Sequence, residues 1–194
     1  VLAGGRSVRF GRDKLREPFR GRPLIAHAIE AVASVASDVV VAIAADASFD
    51  TAELGFDVRL VRDPEPDLGP LVGLRAALEV ATEPFALVVA GDMPRLAPDV
   101  LGLLLRTLVE ADPLAVDGTA LVLRGAVQPL PVALRTGAAT VAASRAVGDG
   151  ERSLRGFLRG VRIEAIDEAA WRPLDPRAET LLDVDREADL RRLG

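Results

Sequence analysis

The chain of 194 residues has no cysteine, tyrosine or asparagine, and it has one histidine, one lysine and one tryptophan. The absence of cysteine excludes a disulfide, a thiol nucleophile and a cysteine-ligated zinc site. His27 alone cannot form a multi-histidine metal centre. Carboxylates, arginines, Lys14 and main-chain amides therefore remain to carry any chemistry. This set suits a Mg²⁺-assisted phosphoryl or nucleotidyl transfer, in which the protein positions its substrates and stabilises charge.

Aromatic residues make up only 4% of the chain and hydrophobic residues 49%, so the core must consist mainly of Ala, Val, Leu and Ile. A formal net charge of −5 argues against a nucleic-acid-binding surface. No apolar run approaches the roughly 18–20 residues that a membrane span needs, and we see no signal peptide. We therefore expect one soluble, cytoplasmic domain over residues 1–194, with neither nucleic acid nor a membrane as partner.

The chain begins with a short apolar run, residues 1–3, that ends at Gly4 and Gly5. An apolar run broken by paired glycines is typical of a buried strand that enters a tight turn. Because glycine lets the main chain approach a ligand closely, its N–H groups can point at an anion. Basic side chains follow at positions 6, 9, 12 and 14. The stretch therefore predicts a loop that binds a polyphosphate.

This loop differs from the two common phosphate-binding motifs. A Walker A loop needs Gly-Lys followed by Ser or Thr, whereas Gly11 is followed here by Arg-Asp-Lys. The dinucleotide fingerprint needs spaced glycines, whereas Gly4 and Gly5 are adjacent. Lys14 is the single lysine of the chain. The ammonium group of lysine is a compact point charge, which suits some phosphate sites that the planar guanidinium group of arginine does not fit. The alternative is a surface lysine at the start of a helix.

Hydrophobic periodicity predicts alternating strands and helices, as in βαβ units with right-handed crossovers. We expect Pro23 in the first turn of the first helix and Asp99 as the cap of a later one. This order predicts an α/β fold, a three-layer sandwich with a mostly parallel, Rossmann-like sheet. The predicted helices span residues 23–34, 71–81, 98–110 and 154–158, and the predicted strands span 38–45, 58–61, 85–90 and, at a sheet edge, 119–123.

Two segments with functional potential follow predicted strands. Asp63 precedes a loop that ends at Gly69 and Pro70, and Asp92 follows the strongest apolar strand, in Gly91-Asp92-Met93-Pro94. Ligands of open parallel sheets collect beyond the carboxyl ends of the strands, where an aspartate is well placed to bind a metal. The alternatives are an acidic surface turn for the first segment and a helix cap for Asp92. We favour a metal ligand for Asp92.

Three segments resemble those of a known family. The pattern L-A-G-G-x-x-x-R-F-G-x-D-K, from Leu2 to Lys14, resembles the signature loop of nucleotidyltransferases, and most closely that of molybdenum cofactor guanylyltransferases. The segment Gly91-Asp92-Met93-Pro94 is similar to the family's D-x-P, and residues 181–190 are similar to its acidic C-terminal segment. The resemblance covers most of the chain and implies a fold of the nucleotide-diphospho-sugar transferase type.

The resemblance also implies an activity. The expected reaction is Mg²⁺-dependent transfer of GMP from GTP to the terminal phosphate of the molybdenum cofactor (molybdopterin), with release of pyrophosphate. Arg9, Lys14 and Asp92 are the expected catalytic residues, and Asp92 and Asp185 are the expected Mg²⁺ ligands. The expected nucleotide-binding residues are Leu2, Ala3, Gly4, Gly5, Lys14, Asp63, Gly69, Pro70 and Asp92. The resemblance implies that Asp63, Gly69 and Pro70 among them flank the nucleotide base.

The identity of the base and of the acceptor stays open. Relatives that use guanine often carry an asparagine where Ala42 stands, so a side-chain contact to the nucleotide is missing. The alternatives are a cytidylyltransferase of the same cofactor, a nucleotidyltransferase for another small phosphorylated acceptor, or a non-catalytic nucleotide-binding module. Arg152, Arg155 and Arg159 could meet an anionic acceptor or be solvated. The resemblance further implies contact with molybdoenzymes or cofactor-assembly proteins.

The expected metal ligands also carry a geometric expectation. Asp92 and Asp185 each follow a strand-like apolar run, residues 85–90 and Leu181-Leu182. If the two runs are neighbouring parallel strands, both carboxylates emerge at one edge of the sheet. Two oxygens bound to one Mg²⁺ each lie about 2.0–2.1 Å from it, so the carboxylates must converge. We choose Asp185 over Asp183 because it matches the later acidic or amide position of the family's ending.

Overall fold

Short strands alternate with helices in the computed structural model, which describes residues 1–4, 13–45, 47, 55–63 and 68–193. The helices are α1 (Leu24–Ala33), α2 (Pro70–Val80), α3 (Pro98–Glu110), α4 (Thr136–Gly148), α5 (Leu154–Arg159), α6 (Glu168–Trp171) and α7 (Glu187–Leu193), with 3-10 turns at Lys14–Arg16 and Glu179–Leu181. The strands are β1 (Leu2–Ala3), β2 (Pro18–Phe19), β3 (Arg22–Pro23), β4 (Val40–Ile43), β5 (Arg59–Arg62), β6 (Phe85–Val88), β7 (Gly118–Leu123), β8 (Ala126–Arg135) and β9 (Ile163–Ile166). None of these helices is long and apolar enough to cross a membrane.

The main sheet has the strand order β5-β4-β1-β6-β8-β7-β9, beside a small hairpin of β2 and β3. Strands β1, β4 and β5 pair in parallel. A parallel bridge between Leu2 and Ala90 joins β1 to the end of the β6 run, and the Leu2 N–H donates to the Val89 carbonyl at 2.8 Å. Strand β8 is antiparallel to β6 and β7, and β9 is parallel to β7. Among the described strands of this sheet β8 alone opposes the others, so the predicted mostly parallel sheet is confirmed.

Different helices cover the two faces of the sheet, because successive strand residues point to opposite faces. In β4, Val41 and Ile43 pack with α1, whereas Ala42 packs with α2. In β8, Ala133 packs with α3 and Trp171, whereas the residues on either side of it pack with α4 and α5. The arrangement is the predicted three-layer α/β sandwich.

Three predictions about individual elements are wrong. Strand β7 lies between β8 and β9 rather than at an edge, because the four-residue β9, too short to be recognised from its pattern, pairs outside it. Asp99 does not cap α3, because Ala97 is the N-cap residue. Asp99 lies in the first turn, where the positive end of the helix dipole stabilises its negative charge. Pro23 is the N-cap residue of α1 rather than part of its first turn. Strand β8 and helix α4 were not predicted.

The single tryptophan offers a test of this packing. Trp171 is fully buried against α3 and β7, and its Nε1–H donates to the Val122 carbonyl at 3.0 Å. Because Trp171→Ala leaves a cavity and an unpaired carbonyl, we expect the free energy of unfolding to fall by about 3–5 kcal/mol. Urea denaturation followed by circular dichroism measures this. The control Leu114→Ala removes a side chain that is 83% exposed and should change stability by less than about 0.5 kcal/mol. Equal effects of the two substitutions would contradict the burial of Trp171.

Candidate active site at the carboxyl edge of the sheet

The parallel strands end at one edge of the sheet, and most of the predicted site residues lie there. Strand β1 ends at Ala3, and the next residue, Gly4, lies beside the main chain of Ala44, which follows β4. The Asp63 N–H, after β5, donates to the Ile43 carbonyl at 2.8 Å. The N–H of Gly91, which precedes Asp92, donates to the Leu2 carbonyl at 2.9 Å. The ends of β1, β4, β5 and β6 therefore form one continuous edge. Gly5 and Arg9, both predicted for this site, lie outside the described residues.

Lys14 is held at this edge by the residue that follows it. It begins the 3-10 turn Lys14–Arg16, in which the Asp13 carboxylate accepts the N–H of Leu15 at 3.1 Å. Leu15 is buried with Ile25 of α1. A Cβ on Gly91 would lie 3.2 Å from Ile25 and 3.4 Å from Leu15. Because residue 91 is glycine, the loop that carries Asp92 packs directly on Leu15, and the adjacent Lys14 reaches Asp92.

The ammonium group of Lys14 joins three distant segments of the chain. Its Nζ lies 2.6 Å from Asp92 Oδ2, donates to the Val184 carbonyl at 3.0 Å, and lies 3.8 Å from Asp185 Oδ1. The side chains of Lys14 and Asp92 are only 19% and 18% exposed, whereas that of Asp185 is 54% exposed. Both carboxylates predicted to bind a metal therefore lie within 4 Å of one nitrogen.

Asp185 reaches this position by a route that the sequence analysis did not foresee. The prediction of a strand at Leu181-Leu182 is wrong, since Leu181 ends a 3-10 turn and Leu182 follows it in extended, unpaired conformation. The segment is fixed instead by Val184, which is fully buried with Phe19 and Leu24. The Val184 N–H donates to the Asp92 carbonyl at 3.0 Å. No periodic pattern marks this contact, because one buried valine between two aspartates has no helical or strand repeat.

Asp183, the alternative to Asp185, also feels this group of charges. Burial raises the pKa of Asp183, and the negative charges of Asp185 and Asp92 raise it further, while Lys14 acts in the opposite direction. Asp92, Asp183 and Asp185 therefore place three carboxylates around the one ammonium of Lys14. Such an arrangement favours the binding of additional positive charge.

The residues present fit a Mg²⁺ ion. Asp92 Oδ1 is buried and accepts no hydrogen bond from a described residue, so one oxygen of the central carboxylate is available as a ligand. Within the described ranges no group of three or more histidine and carboxylate side chains is arranged as a metal cage. Mg²⁺ does not need one, because it usually takes one or two protein carboxylates and completes its shell with waters and substrate phosphates.

The predicted base-binding segment begins α2. Gly69 has a φ of +97° and precedes Pro70, the first residue of the helix. Asp63 is buried, and its Oδ2 would lie 3.9 Å from a Cβ added at Gly73, on the first turns of the same helix. Ala42 is only 2% exposed and lies beneath Gly73. Asp63 and the start of α2 therefore form a second part of the edge, beside the end of β5.

The chain is similar in sequence and in fold to known proteins. Residues 1–168 match the family model described as MobA-like NTP transferase domain. A probable molybdenum cofactor guanylyltransferase of Chloroflexus aggregans is 31% identical over 194 residues, which cover 98% of this chain and 90% of that protein. A protein of the same description from Haloferax mediterranei is 39% identical over 97 residues, but the match spans only 48% of this chain and 46% of that protein. The solved structure of a nucleotidyl transferase from Methanothermobacter thermautotroptrophicus has a TM-score of 0.76 at 25% identity, covering 99% of this chain and 93% of that one.

The fold is that of the nucleotidyltransferases of the nucleotide-diphospho-sugar transferase type. Within this class the chain belongs to the MobA-like NTP transferase domain family.

The main-chain geometry at Gly69 can be tested by substitution. A Cβ at this position would lie 2.7 Å from the Arg152 carbonyl oxygen, and the positive φ is itself strained for any other residue. We expect Gly69→Ala to lower the free energy of unfolding by about 1–3 kcal/mol. Gly137→Ala is the matched control, because a Cβ at Gly137 of α4 meets nothing within 4 Å and should stabilise the protein by about 0.4–1 kcal/mol. Urea denaturation measures both, and effects of the same sign would count against the geometry at Gly69.

Proposed function

We propose that this protein transfers GMP from GTP to the terminal phosphate of a molybdopterin-type acceptor and releases pyrophosphate, with Mg²⁺ as the required ion. The main supporting observation is the contact of Lys14 with Asp92 and Asp185 at the carboxyl edge of the sheet, where β1 also ends. Family membership and the relative from Chloroflexus aggregans support the guanylyl transfer. The proposal extends to a cytoplasmic location and to contact with molybdoenzymes or cofactor-assembly proteins.

The proposed reaction forms one bond and breaks one. An oxygen of the acceptor phosphate attacks the α-phosphorus of GTP, the bond from that phosphorus to the bridging oxygen breaks, and pyrophosphate leaves with its electron pair. The new bond is a phosphoanhydride. Since a phosphate monoester is already anionic near neutral pH, its oxygen needs no general base. This agrees with a chain whose single histidine, His27, is engaged with the Phe19 carbonyl at 2.8 Å.

The predicted site residues have different roles in this reaction. The N–H groups of Gly4 and Gly5 and the guanidinium group of Arg9 would bind the triphosphate. Lys14 places its ammonium against the phosphates and stabilises the charge that develops on the leaving pyrophosphate. Asp92 and Asp185 would hold Mg²⁺, which when bound neutralises phosphate oxygens and orients them for in-line displacement. Asp63, Gly69 and Pro70 flank the base, which main-chain groups at the start of α2 select.

The choice of base is the finer part of the proposal. Because Ala42 supplies no polar group and lies beneath α2, selection depends on the main chain at Gly69 and Pro70 and on Asp63. A cytidylyltransferase of the same cofactor, or an enzyme for another small phosphorylated acceptor, would share the triphosphate site. A non-catalytic nucleotide-binding module would bind the nucleotide but release no pyrophosphate.

Nucleotide binding can be measured by the thermal shift of the whole protein with Mg²⁺ and each of GTP, CTP, UTP, ATP and NAD. A ligand present at a hundredfold its dissociation constant adds about 2.7 kcal/mol of stability. We expect the largest shift with GTP. A shift with CTP and none with GTP would replace guanylyl by cytidylyl transfer. Equal shifts without pyrophosphate release, in the presence of a molybdopterin acceptor, would favour the binding module.

The role of Lys14 can be tested by turnover. We expect Lys14→Ala to lower kcat by about 10²–10³, because one charge-stabilising contact is lost in the transition state. Lys14→Arg should recover little of it, since a planar guanidinium does not replace a compact ammonium. The control is Arg145→Ala, which removes a positive charge from a side chain that is 85% exposed. Pyrophosphate release measures all three, and an unchanged rate in Lys14→Ala would mean that Lys14 is not catalytic.

A further inference from the structure

The loop of residues 149–153, between α4 and α5, lies against the start of α2. The Arg152 carbonyl accepts the N–H of Leu71 at 3.2 Å. A Cβ at Gly69 would lie 2.7 Å from the same oxygen and 3.2 Å from the Arg152 Cβ. The main chain of Arg152 therefore contacts the main chain of Gly69 and Leu71, in the segment that is proposed to bind the nucleotide base. A shift of the 149–153 loop must move Gly69 and Leu71, or break their contact with it.

The conformation of this loop depends on Glu151. Its Oε1 accepts the N–H groups of Arg152 and Ser153 and the Ser153 hydroxyl, each at 2.9 Å. The N–H groups of Ser153 and Arg152 and the Ser153 hydroxyl hold the pKa of Glu151 below its usual range. Ser153 in turn accepts the N–H of Gly156 at 3.0 Å and so caps α5. The Glu151 carboxylate thus holds both peptide groups that flank Arg152, and the second of them contains the Arg152 carbonyl.

Gly156 provides the space that this carboxylate occupies. A Cβ at Gly156 would lie 1.5 Å from Glu151 Oε2. Any other residue at 156 would therefore displace the Glu151 side chain, which can rotate away without moving the helix. The absence of a side chain at Gly156 therefore leaves room for the Glu151 carboxylate, whose hydrogen bonds hold the loop in place.

The Arg152 side chain secures the loop from the other end. Its Nη1 donates to the carbonyls of Val147 and Glu151, each at 2.9 Å. The hydrogen bond to Val147 ties the guanidinium to the carboxyl end of α4, where a positive charge is favoured. The same side chain was considered in the sequence as a group for an anionic acceptor; in the structure its described contacts are with the main chain.

We propose that Glu151 is a positioning residue for the nucleotide base: through the Arg152 carbonyl it sets the main chain at Gly69–Leu71 and thereby the selectivity of the enzyme, without touching the nucleotide. The proposal rests on the proposed function, because it takes the start of α2 as the base-binding segment. Base selection by main-chain groups is sensitive to small displacements, since a shift of about 1 Å far from the chemistry can cost about a hundredfold.

The experiment compares four variants of the whole protein. Glu151→Ala removes the brace, and Gly156→Ala expels the same carboxylate while keeping its charge. We expect each to raise KM for the preferred nucleoside triphosphate about ten- to a hundredfold, to leave kcat within about twofold, and to lower the preference for that nucleotide over the other three. Asp149→Ala is the matched control, because it removes a carboxylate of the same loop that is 74% exposed and lies 3.8 Å from the exposed Arg145 side chain. Glu151→Gln keeps an acceptor oxygen and should restore much of the selectivity.

Hydrogen exchange keeps this test separate from the proposed function. The amide of Leu71 should exchange faster in Glu151→Ala and Gly156→Ala than in the native protein, with Asp149→Ala unchanged. If the native protein used no nucleoside triphosphate, the proposed function would fail even if exchange behaved as expected. If the native enzyme is active, unchanged selectivity in both variants, or equal effects of Asp149→Ala, would overturn the positioning role. A common loss of kcat and melting temperature would mean that Glu151 is merely structural.

Discussion

The half-buried contact of Lys14 with Asp92 is the interaction on which the rest of the site depends. Coulombic attraction strengthens as water is excluded, and removal of either partner would leave an uncompensated charge in a poorly solvated position. The contact also determines which parts of the chain must meet. The turn after the first strand supplies the ammonium, the end of β6 supplies the carboxylate, and the segment before α7 supplies the Val184 carbonyl and Asp185. Leu15 and Val184, both buried, hold the two outer segments in place.

The edge of the sheet divides into two parts that are built differently. Side-chain charges dominate near Lys14, where a triphosphate and its metal would lie, and their effect on catalysis is electrostatic. The main chain dominates near Gly69, where close backbone contact with Arg152 leaves no space for a side chain. Residue 42 is alanine and offers no polar side chain to the base. The protein can still discriminate between bases if its peptide groups are held firmly, because main-chain N–H and carbonyl groups can form hydrogen bonds with the edge of a base. The bracing by Glu151 and Gly156 supplies such rigidity.

The matches to known proteins cover different parts of the chain. The family model covers residues 1–168 and so includes Lys14, Asp63, Gly69 and Asp92, but not Asp185. The match to the Chloroflexus aggregans protein extends over nearly the whole chain, whereas the match to the Haloferax mediterranei protein spans less than half of either chain. The family match therefore includes most of the residues predicted to bind the nucleotide. The placement of Asp185 depends on the burial of Val184 and on the Lys14 contact.

Much of this architecture is determined by local sequence pattern. Apolar runs that end in Gly4-Gly5 and in Gly91-Asp92 predicted the strands and the edge at which ligands bind, because strand burial and turn formation depend on neighbouring residues. Single, nonrepeating contacts were decided only by the tertiary structure. Strand β9 has four residues and becomes a strand by pairing with β7, so β7 could not be recognised as internal. Asp185 was expected at the end of a strand, yet Val184 brings it to the site by packing against Phe19 and Leu24, residues about 160 positions earlier. The sequence therefore determined the kinds of residue at the site, while long-range packing decided which of them meet, because no local period records a contact between distant segments.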